Sequence, residues 1–400
     1  MNDYHSRSLA TLPLVLVVFT YSALAQESPN RDATIPSIQR FVQNTMKAND
    51  KNRDGHVTRD EAINQLKINF DRVDGNQDGK ITTSELAVLA KRMQTRQRGR
   101  NRSAGRSAIP EGVIFEADIP YRTGNDKWKL DLARPKAESE TPRAAIVFVH
   151  GGGWRSGDKG SGQWRSLPMD YAAQGYVCIS INYRLTDEAM VLDCIADCKC
   201  AVRWLRSHTD EYNIDPKRIG AYGNSAGAHL VSILGLTSAQ ANLEGDGPFR
   251  DESSLVQAVC CSAPPADFKN WGKNRLENAQ GRLARLFGDT NVDAVKRQAS
   301  PITHASSEAP PFLIIHGTAD KTVPVTQADA LHRTLREAGA KDVTYMKIEG
   351  AGHGVFNQHN KRTEPAMREF FDRILQPTDK RDDADHTQQK HHSPTIHNLR

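Results

Sequence analysis

The 400-residue chain is predicted to fold in the α/β class, as a mainly parallel sheet flanked by helices, preceded by a small all-α domain. Three observations predict this. Continuous apolar runs, typical of strands buried on both faces, recur along the larger C-terminal part. A Gly-x-Ser-x-Gly pentapeptide lies between a strand-like and a helix-like run. Two short acidic loops with a glycine at their sixth position lie before residue 90.

The pentapeptide Gly223-Asn224-Ser225-Ala226-Gly227 connects a strand-like run, Arg218–Tyr222, to a helix-like run, Ala228–Leu236. In that context it predicts a turn so tight that only glycines fit around it, with the serine hydroxyl projecting above the sheet. The pentapeptide is short enough to occur by chance. Its assignment as a nucleophile site therefore depends on partner residues that follow in the right order.

Those partners follow later in the chain. The apolar strand that ends at Gly317 leads into Asp320, and the strand Val343–Ile348 leads into the glycine-flanked His353. A serine cannot attack at neutral pH unless a base accepts its proton, and a carboxylate orients that base. Taken singly, Asp320 could be a turn residue and His353 a loop histidine. Their joint placement after successive strands predicts a Ser225–His353–Asp320 triad.

A glycine run follows another buried strand. His150-Gly151-Gly152-Gly153-Trp154 comes directly after the apolar run 144–149. Acyl transfer places negative charge on a carbonyl oxygen, and backbone N–H groups without side-chain obstruction can stabilise it. A plain glycine-rich turn is the alternative. Together with the downstream pentapeptide, the run predicts an oxyanion hole that the N–H of Ala226 completes.

Residues 113–375 resemble the α/β-hydrolase superfamily, in its HGGG-type, hormone-sensitive-lipase-like esterase and lipase branch, close to bacterial secreted carbohydrate acetyl and feruloyl esterases. The resemblance implies an eight-stranded, mostly parallel sheet, ester hydrolysis without a catalytic cofactor, and Gly152 and Gly153 as oxyanion donors. Asn224 departs from the Asp or Gly that many relatives carry, which leaves the subfamily open. The shared motifs are His150–Trp154, Gly157-Asp158-Lys159, Asn182-Tyr183-Arg184-Leu185, Asp197–Leu205 and the pentapeptide.

Two loops in the N-terminal part, Asp50–Glu61 and Asp74–Glu85, match the EF-hand calcium loop. The eighth positions, Val57 and Ile81, are predicted to share an apolar β-contact. The region resembles the compact EF-hand pairs of secreted bacterial proteins. Its short spacing favours a structural or docking role over an opening switch, and acidic turns without metal are the alternative. The predicted Ca²⁺ positions are Asp50, Asn52, Asp54, His56, Thr58 and Glu61 in the first loop, and Asp74, Asn76, Asp78, Lys80, Thr82 and Glu85 in the second.

The first 25 residues are predicted to be a secretory signal peptide, cleaved after Ala25, which implies a secreted or periplasmic protein. An uncleaved anchor is the alternative, although the apolar span is short for one. We expect no stable membrane insertion elsewhere. Export would permit disulfides among the six cysteines.

The remaining segments are assigned by composition. We predict an EF-hand pair over residues 34–93, a flexible linker over 94–110, a catalytic domain over 111–376 and a disordered polar tail over 377–400. Residues 262–310 are predicted to form a cap-like insertion that shapes specificity. The net charge of +5 is concentrated around the linker. Because no aromatic residues are interleaved with those basic residues, a nucleic-acid partner is not expected.

The sequence thus predicts a secreted serine carboxylic-ester hydrolase with a calcium-binding module, acting on short-chain or carbohydrate-linked esters. Two alternatives stay open. One is an amide hydrolase of the arylformamidase type, which uses the same triad. The other is a non-enzymatic, calcium-dependent adhesion or scaffold protein on the same fold.

Overall fold

The computed structural model describes residues 35–63, 66–67, 70–90, 108–186, 188–271 and 286–376. The predicted signal peptide, most of the predicted linker and the predicted tail lie outside these residues. The chain divides into two compact units, residues 1–103 and 104–400, which are described separately.

The first unit is built around a two-stranded sheet. Its strands are antiparallel and place Val57 directly opposite Ile81, and both side chains are fully buried. The predicted apolar β-contact between the two loops is therefore confirmed. A small core of Phe70, Val73 and Leu86 packs around this pair. The elements are α1 (Ile35–Asn49), β1 (His56–Thr58), α2 (Phe70–Val73), β2 (Lys80–Thr82) and a helical segment over 83–90.

The second unit contains a mostly parallel eight-stranded sheet, which confirms the predicted fold class. The strands are β3 (Val113–Pro120), β4 (Lys129–Pro135), β5 (Arg143–Val149), β6 (Val177–Ile181), β7 (Ile214–Asn224), β8 (Ala258–Ser262), β9 (Phe312–Gly317) and β10 (Val343–Ile348). Their order in the sheet is β10-β9-β8-β7-β5-β6-β4-β3. The pairs β3–β4 and β4–β6 are antiparallel, and the other five pairs are parallel.

Helices cover both faces of the sheet, which explains why its central strands are continuously apolar. The helices are α3 (Gln163–Ala172), α4 (Val191–Ser207), α5 (Thr209–Tyr212), α6 (Ala226–Leu236), α7 (Val292–Ala299), α8 (Val325–Glu337), α9 (Val355–Gln358) and α10 (Asn360–Leu375). Along β5, Val147 packs into the cluster beneath α4 and α6, whereas its neighbour Phe148 packs into the opposite cluster beneath α3 and α10.

The structure adjusts several predicted details. Strand β7 extends from Ile214 to Asn224 rather than over Arg218–Tyr222, because Ile214 pairs with Arg143 before a register shift. Within the predicted insertion, α7 spans Val292–Ala299, and residues 272–285 lie outside the described residues. All six cysteines are buried and unpaired. Within the described part of the chain, no helix has the length and apolarity needed to cross a bilayer.

Candidate active site

Four loops that carry chemically active residues meet at one edge of the sheet. Each loop follows the carboxyl end of a parallel strand: β5 leads into His150, β7 into Ser225, β9 into Asp320 and β10 into His353. Parallel strands all end at the same edge, so residues distant in sequence are brought together there. The topology alone therefore brings these four residues to the same edge of the sheet.

Ser225 lies on a sharp turn between β7 and α6. Its φ of 54° and ψ of −119° are unusual for a residue with a side chain. The flanking glycines are required by close contacts: a Cβ on Gly223 would lie 2.3 Å from the carbonyl carbon of Gly227, and a Cβ on Gly227 would lie 2.0 Å from the oxygen of Val149. The local structure is therefore the predicted elbow, and α6 begins directly after the serine.

The three predicted triad residues are joined by hydrogen bonds. Nε2 of His353 lies 3.0 Å from Oγ of Ser225, and Nδ1 of His353 lies 2.7 Å from Oδ2 of Asp320. When Nδ1 donates to the carboxylate, Nε2 is free to accept the serine proton, which is the tautomer that general-base catalysis needs. The Asp320 carboxylate is fully buried, whereas the imidazole is partly exposed.

Asp320 is held as a carboxylate by several donors. The backbone N–H groups of Thr322 and Val323 donate to Oδ1 at 2.7 and 3.0 Å. Nε2 of the buried His316 lies 3.3 Å from Oδ2 and 3.0 Å from the Val323 carbonyl. Burial raises the pKa of Asp320, but the bonds from His316, His353 and the Thr322 backbone outweigh it, so its pKa is well below the usual range.

The three predicted oxyanion donors lie on two elements: Gly152 and Gly153 in the loop after β5, and Ala226 at the start of α6. Residues 150–154 are called the oxyanion loop below. Gly152 has φ 120°, and a Cβ there would lie 1.8 Å from the carbonyl oxygen of Ser156. Among the described residues, none of the three backbone N–H groups donates to a protein acceptor. These donors therefore remain available to a substrate oxygen.

The motif Gly157-Asp158-Lys159 packs against the oxyanion loop. A Cβ on Gly157 would lie 2.2 Å from Nδ1 of His150, so only glycine permits this approach. The Tyr183 hydroxyl donates to the His150 carbonyl at 3.0 Å, and the two rings are stacked. Gly157 and Tyr183 thus support the oxyanion loop from one side.

Lys159 connects the segment 157–159 to strands β3 and β4 at one end of the sheet. Its side chain is only 6% exposed, and its ammonium nitrogen lies 2.6 Å from carboxylate oxygens of Asp118 and Asp131. Its backbone N–H donates to Asn182 at 2.7 Å. A buried ion pair contributes little to stability by itself, but removing one partner is costly because a charge is left unpaired. This network therefore fixes the position of the segment 157–159, which packs against the oxyanion loop.

Sequence reasoning missed several residues of this site: His316, Asp118, Asp131 and the contact between Trp154 and His229. Two signals were available. His316 interrupts an apolar strand four residues before Asp320, and His229 lies in an apolar helix four residues after Ser225. A histidine within an apolar element needs hydrogen-bond partners when it is buried. The partners themselves depend on tertiary contacts.

The two predicted calcium loops have nearly the same hydrogen bonds. In the first, Glu61 accepts from the backbone and hydroxyl of Thr58 and from the Asn52 backbone. In the second, Glu85 accepts in the same way from Thr82 and from the Gly75 backbone. The position-one aspartates Asp50 and Asp74 accept from the loop glycines, and the position-five aspartates Asp54 and Asp78 from the residues after those glycines, His56 and Lys80. Asn76 donates to Asp78 just as Asn52 does to Asp54.

The second loop fits a cation better than the first. Oδ1 of Asp74 is buried and has no hydrogen-bond partner among the described residues, which is costly unless a ligand binds it. In the first loop, Nε2 of His56 lies 3.0 Å from Oδ2 of Asp54 and occupies one candidate ligand. Across the residues described, no three His, Cys, Asp or Glu side chains converge in a metal-binding arrangement.

The eight-stranded sheet and the serine elbow define an α/β-hydrolase. The sequence model of the BD-FAE family matches residues 130–335, just over half of the chain, and the chain belongs to this family of α/β-hydrolase esterases. A model of TAP-like proteins matches residues 290–384. An EF-hand model matches residues 66–90, which include the second of the two predicted calcium loops.

Individual relatives agree with this assignment. The chain is 34% identical to Esterase LipC of Mycobacterium tuberculosis over 239 residues, which are 59% of this chain and 59% of LipC, less than two thirds of that protein. A truncated carbohydrate esterase from gut microbiota is 28% identical with a TM-score of 0.59, covering 66% of this chain and 97% of that structure. Butyrate-bound Est2 of Thermogutta terrifontis is 30% identical with a TM-score of 0.56, covering 67% and 97%.

Proposed function

We propose that this protein is a serine carboxylic-ester hydrolase that works through an acyl-enzyme. The observation that carries the proposal is the continuous hydrogen-bonded chain from Ser225 through His353 to the buried Asp320. This arrangement activates the hydroxyl, and the elbow presents it above the sheet. The intact chain of contacts also favours an enzyme over a non-catalytic scaffold.

The reaction has two halves. In the first, Oγ of Ser225 attacks the ester carbonyl while Nε2 of His353 accepts its proton, and the N–H groups of Gly152, Gly153 and Ala226 stabilise the oxyanion. His353 then protonates the leaving alcohol, which leaves the acyl group on Ser225. In the second half, His353 activates a water that releases the acid, and the proton returns to the serine. The Asp320 carboxylate stabilises the imidazolium that forms twice in each cycle.

The substrate is proposed to be an ester with a short acyl group, such as an acetylated or similarly acylated carbohydrate. Two relatives support this: one is described as a carbohydrate esterase, and the other was solved with butyrate bound. Each methylene group that a small acyl site does not accommodate lowers kcat/KM by about 10- to 200-fold. The acyl preference is therefore measurable.

An ester panel tests this proposal. We expect kcat/KM to be highest for acetyl to butyryl p-nitrophenyl esters and acetylated xylose, and at least about tenfold lower for octanoyl esters. N-formylkynurenine and a p-nitroanilide of the same acyl group serve as amide substrates, and Ser225→Ala gives the background rate without the nucleophile. Faster turnover of the amides than of the matched esters would support the amide-hydrolase alternative instead.

We also propose that the EF-hand pair binds calcium in a structural role. The paired loops, the shared β-contact and the unpartnered Oδ1 of Asp74 support the proposal. Glu61 and Glu85, at position twelve, would supply both carboxylate oxygens, and backbone N–H groups already hold them in place. Because calcium would bind the folded loops and not the unfolded chain, it would stabilise the first unit by about 2.7 kcal/mol at a calcium concentration 100 times Kd.

Calorimetric titration of the intact, calcium-depleted chain with CaCl₂ tests this role. We expect up to two ions per chain, and Glu85→Gln should lose the ion of the second loop. Asp60→Asn is the matched control, because this exposed residue is at the non-ligating eleventh position. Chelation should lower the melting temperature of the first unit by several degrees and leave kcat unchanged, within about twofold. Absence of calcium uptake, or reversible loss of most turnover on chelation, would contradict the proposal.

We further propose that the protein is exported to the periplasm or medium and cleaved after Ala25. Support comes from the short apolar run and the Ala-x-Ala site that precede Gln26. Mass spectrometry of the protein recovered outside the cytoplasm should give an N-terminus at Gln26. Retention of Met1 on all recovered protein would contradict cleavage.

A further inference from the structure

Trp154 follows the oxyanion glycines and has a backbone conformation that tryptophan rarely adopts. Its φ is 56°, after values of 120° at Gly152 and 62° at Gly153. A bulky residue in the left-handed region persists only where its surroundings hold it there. Trp154 is 3% exposed, so its side chain is enclosed by the residues that hold it in this conformation.

Three contacts hold Trp154. Its indole Nε1–H donates to Nδ1 of His229 at 3.3 Å. Its carbonyl accepts the backbone N–H of Thr186 at 2.8 Å. Its ring packs edge-to-face against Phe268, with centroids 5.7 Å apart. Of these contacts, the bond to His229 joins the oxyanion loop directly to the helix that carries the nucleophile.

His229 lies one turn after Ser225 in α6, and its backbone N–H donates to the Ser225 carbonyl at 3.1 Å. The imidazole is fully buried, and its Nε2–H donates to the carbonyl of Ala299 at 2.7 Å. Because Nε2 donates and Nδ1 accepts, the ring is neutral. Burial lowers the pKa of His229 to about 4; the bond to Ala299 opposes this and the nearby His304 adds to it.

The donors of the oxyanion hole come from the two elements that this imidazole connects. Gly152 and Gly153 belong to the oxyanion loop, and Ala226 belongs to α6. A donor stabilises the oxyanion only at about 2.7–3.1 Å from its position, and a displacement of about 1 Å can cost about 100-fold in rate. The spacing between the two elements therefore has to be set accurately.

We propose that His229 is a positioning residue that, through its hydrogen bond with Trp154, sets the separation between the two halves of the oxyanion hole. The inference rests on the proposed esterase function. His229 contacts no reacting atom, and its role requires a group that accepts from Trp154 and donates to Ala299 at the same time. Glutamine retains both capabilities, whereas leucine retains neither.

The test compares p-nitrophenyl butyrate with its thionoester, whose sulfur accepts hydrogen bonds from an oxyanion hole less well. Trp154→Phe removes the N–H donor and keeps an aromatic, though smaller, ring, and His229→Leu removes both bonds. For both variants we expect kcat on the oxygen ester to fall about 10- to 100-fold with KM nearly unchanged. On the thionoester, kcat should fall less, so the ratio of kcat on the oxygen ester to kcat on the thionoester decreases. His229→Gln should restore the ratio to within about threefold of wild type.

Rates are expressed per active site titrated with a fluorophosphonate, which corrects for misfolded enzyme. Trp204→Phe is the control, because Trp204 is a largely buried tryptophan whose ring also contacts a histidine, His208, at a site away from the oxyanion loop. It should leave the ratio unchanged. Equal losses on both esters in Trp154→Phe, or no restoration by His229→Gln, would overturn the positioning role. A wild-type enzyme that hydrolyses neither ester would refute the proposed function itself, and the positioning role with it.

Discussion

Ser225→Ala is expected to lower kcat on a short-chain p-nitrophenyl ester by about 10⁵- to 10⁶-fold, to the level set by binding and the oxyanion donors alone. The reason is that no acyl-enzyme can form without the hydroxyl that His353 activates at 3.0 Å. The fold should survive, because the change removes a single atom from a turn whose shape is fixed by flanking glycines. Steady-state kinetics with an extrapolated uncatalysed rate give the measurement.

The matched control is Ser232→Ala on the same helix. The Ser232 hydroxyl donates to the Ala228 carbonyl within α6 and is fully buried. We expect this variant to retain kcat within about threefold of wild type, with a small loss of stability of about 1 kcal/mol. Ser225→Ala with more than about 1% of wild-type turnover would contradict the assignment of the nucleophile.

Asp320→Asn is expected to lower kcat by about 10⁴-fold, with little change in KM. The carboxylate holds the Nδ1–H of His353 at 2.7 Å. An asparagine can present its amide N–H to the ring instead, which favours the tautomer whose Nε2 carries the proton and cannot accept one from Ser225. The variant should still bind substrate, because the elbow and the oxyanion loop are unchanged.

Asp126→Asn provides the control for loss of a carboxylate, since Asp126 is almost fully exposed and pairs only with Lys129 among described residues. It should leave kcat unchanged, within about twofold. If Asp320→Asn behaves like Asp126→Asn, the carboxylate does not orient the catalytic histidine and another group must do so.

The lowered pKa of Asp320 also fixes the sign of its effect on stability. A carboxyl group whose pKa is lower in the folded chain than in the unfolded chain stabilises the fold at pH values above its unfolded pKa. That stabilisation is lost as the pH falls toward its folded pKa. The contribution of Asp320 is therefore complete above about pH 5. When the pH is lowered from about 5 to 3, the free energy of unfolding measured in urea should fall more for the wild type than for Asp320→Asn. An identical pH dependence of the two would contradict the ionised state.

The sheet, and the positions of the three proposed triad residues at its carboxyl edge, could be predicted from the sequence because both depend on local patterns. Apolar runs mark strands buried on both faces, and residues that follow such strands meet at the carboxyl edge. Ser225, Asp320 and His353 could be located in this way. The start of α6 at Ala226 rather than Ala228 follows from the elbow, because the turn ends at the serine itself.

The supporting residues could not be predicted in the same way. Lys159 bonds Asp118 and Asp131, which lie on the antiparallel strands β3 and β4, and no local pattern links them. The same holds for Trp154 and His229, which are 75 positions apart. Such pairs are set by how the loop after β5 packs against α6. Sequence periodicity describes the faces of elements but does not describe contacts between loops.

The most direct test of the account is mass spectrometry of the intact chain after reaction with a fluorophosphonate probe, followed by peptide mapping. We predict one adduct per chain, on the peptide that contains Ser225, with complete loss of ester hydrolysis and no labelling of Ser225→Ala. A wild-type chain that hydrolyses esters but carries the adduct on another residue, or that is inactivated without any adduct at Ser225, would contradict the central claim.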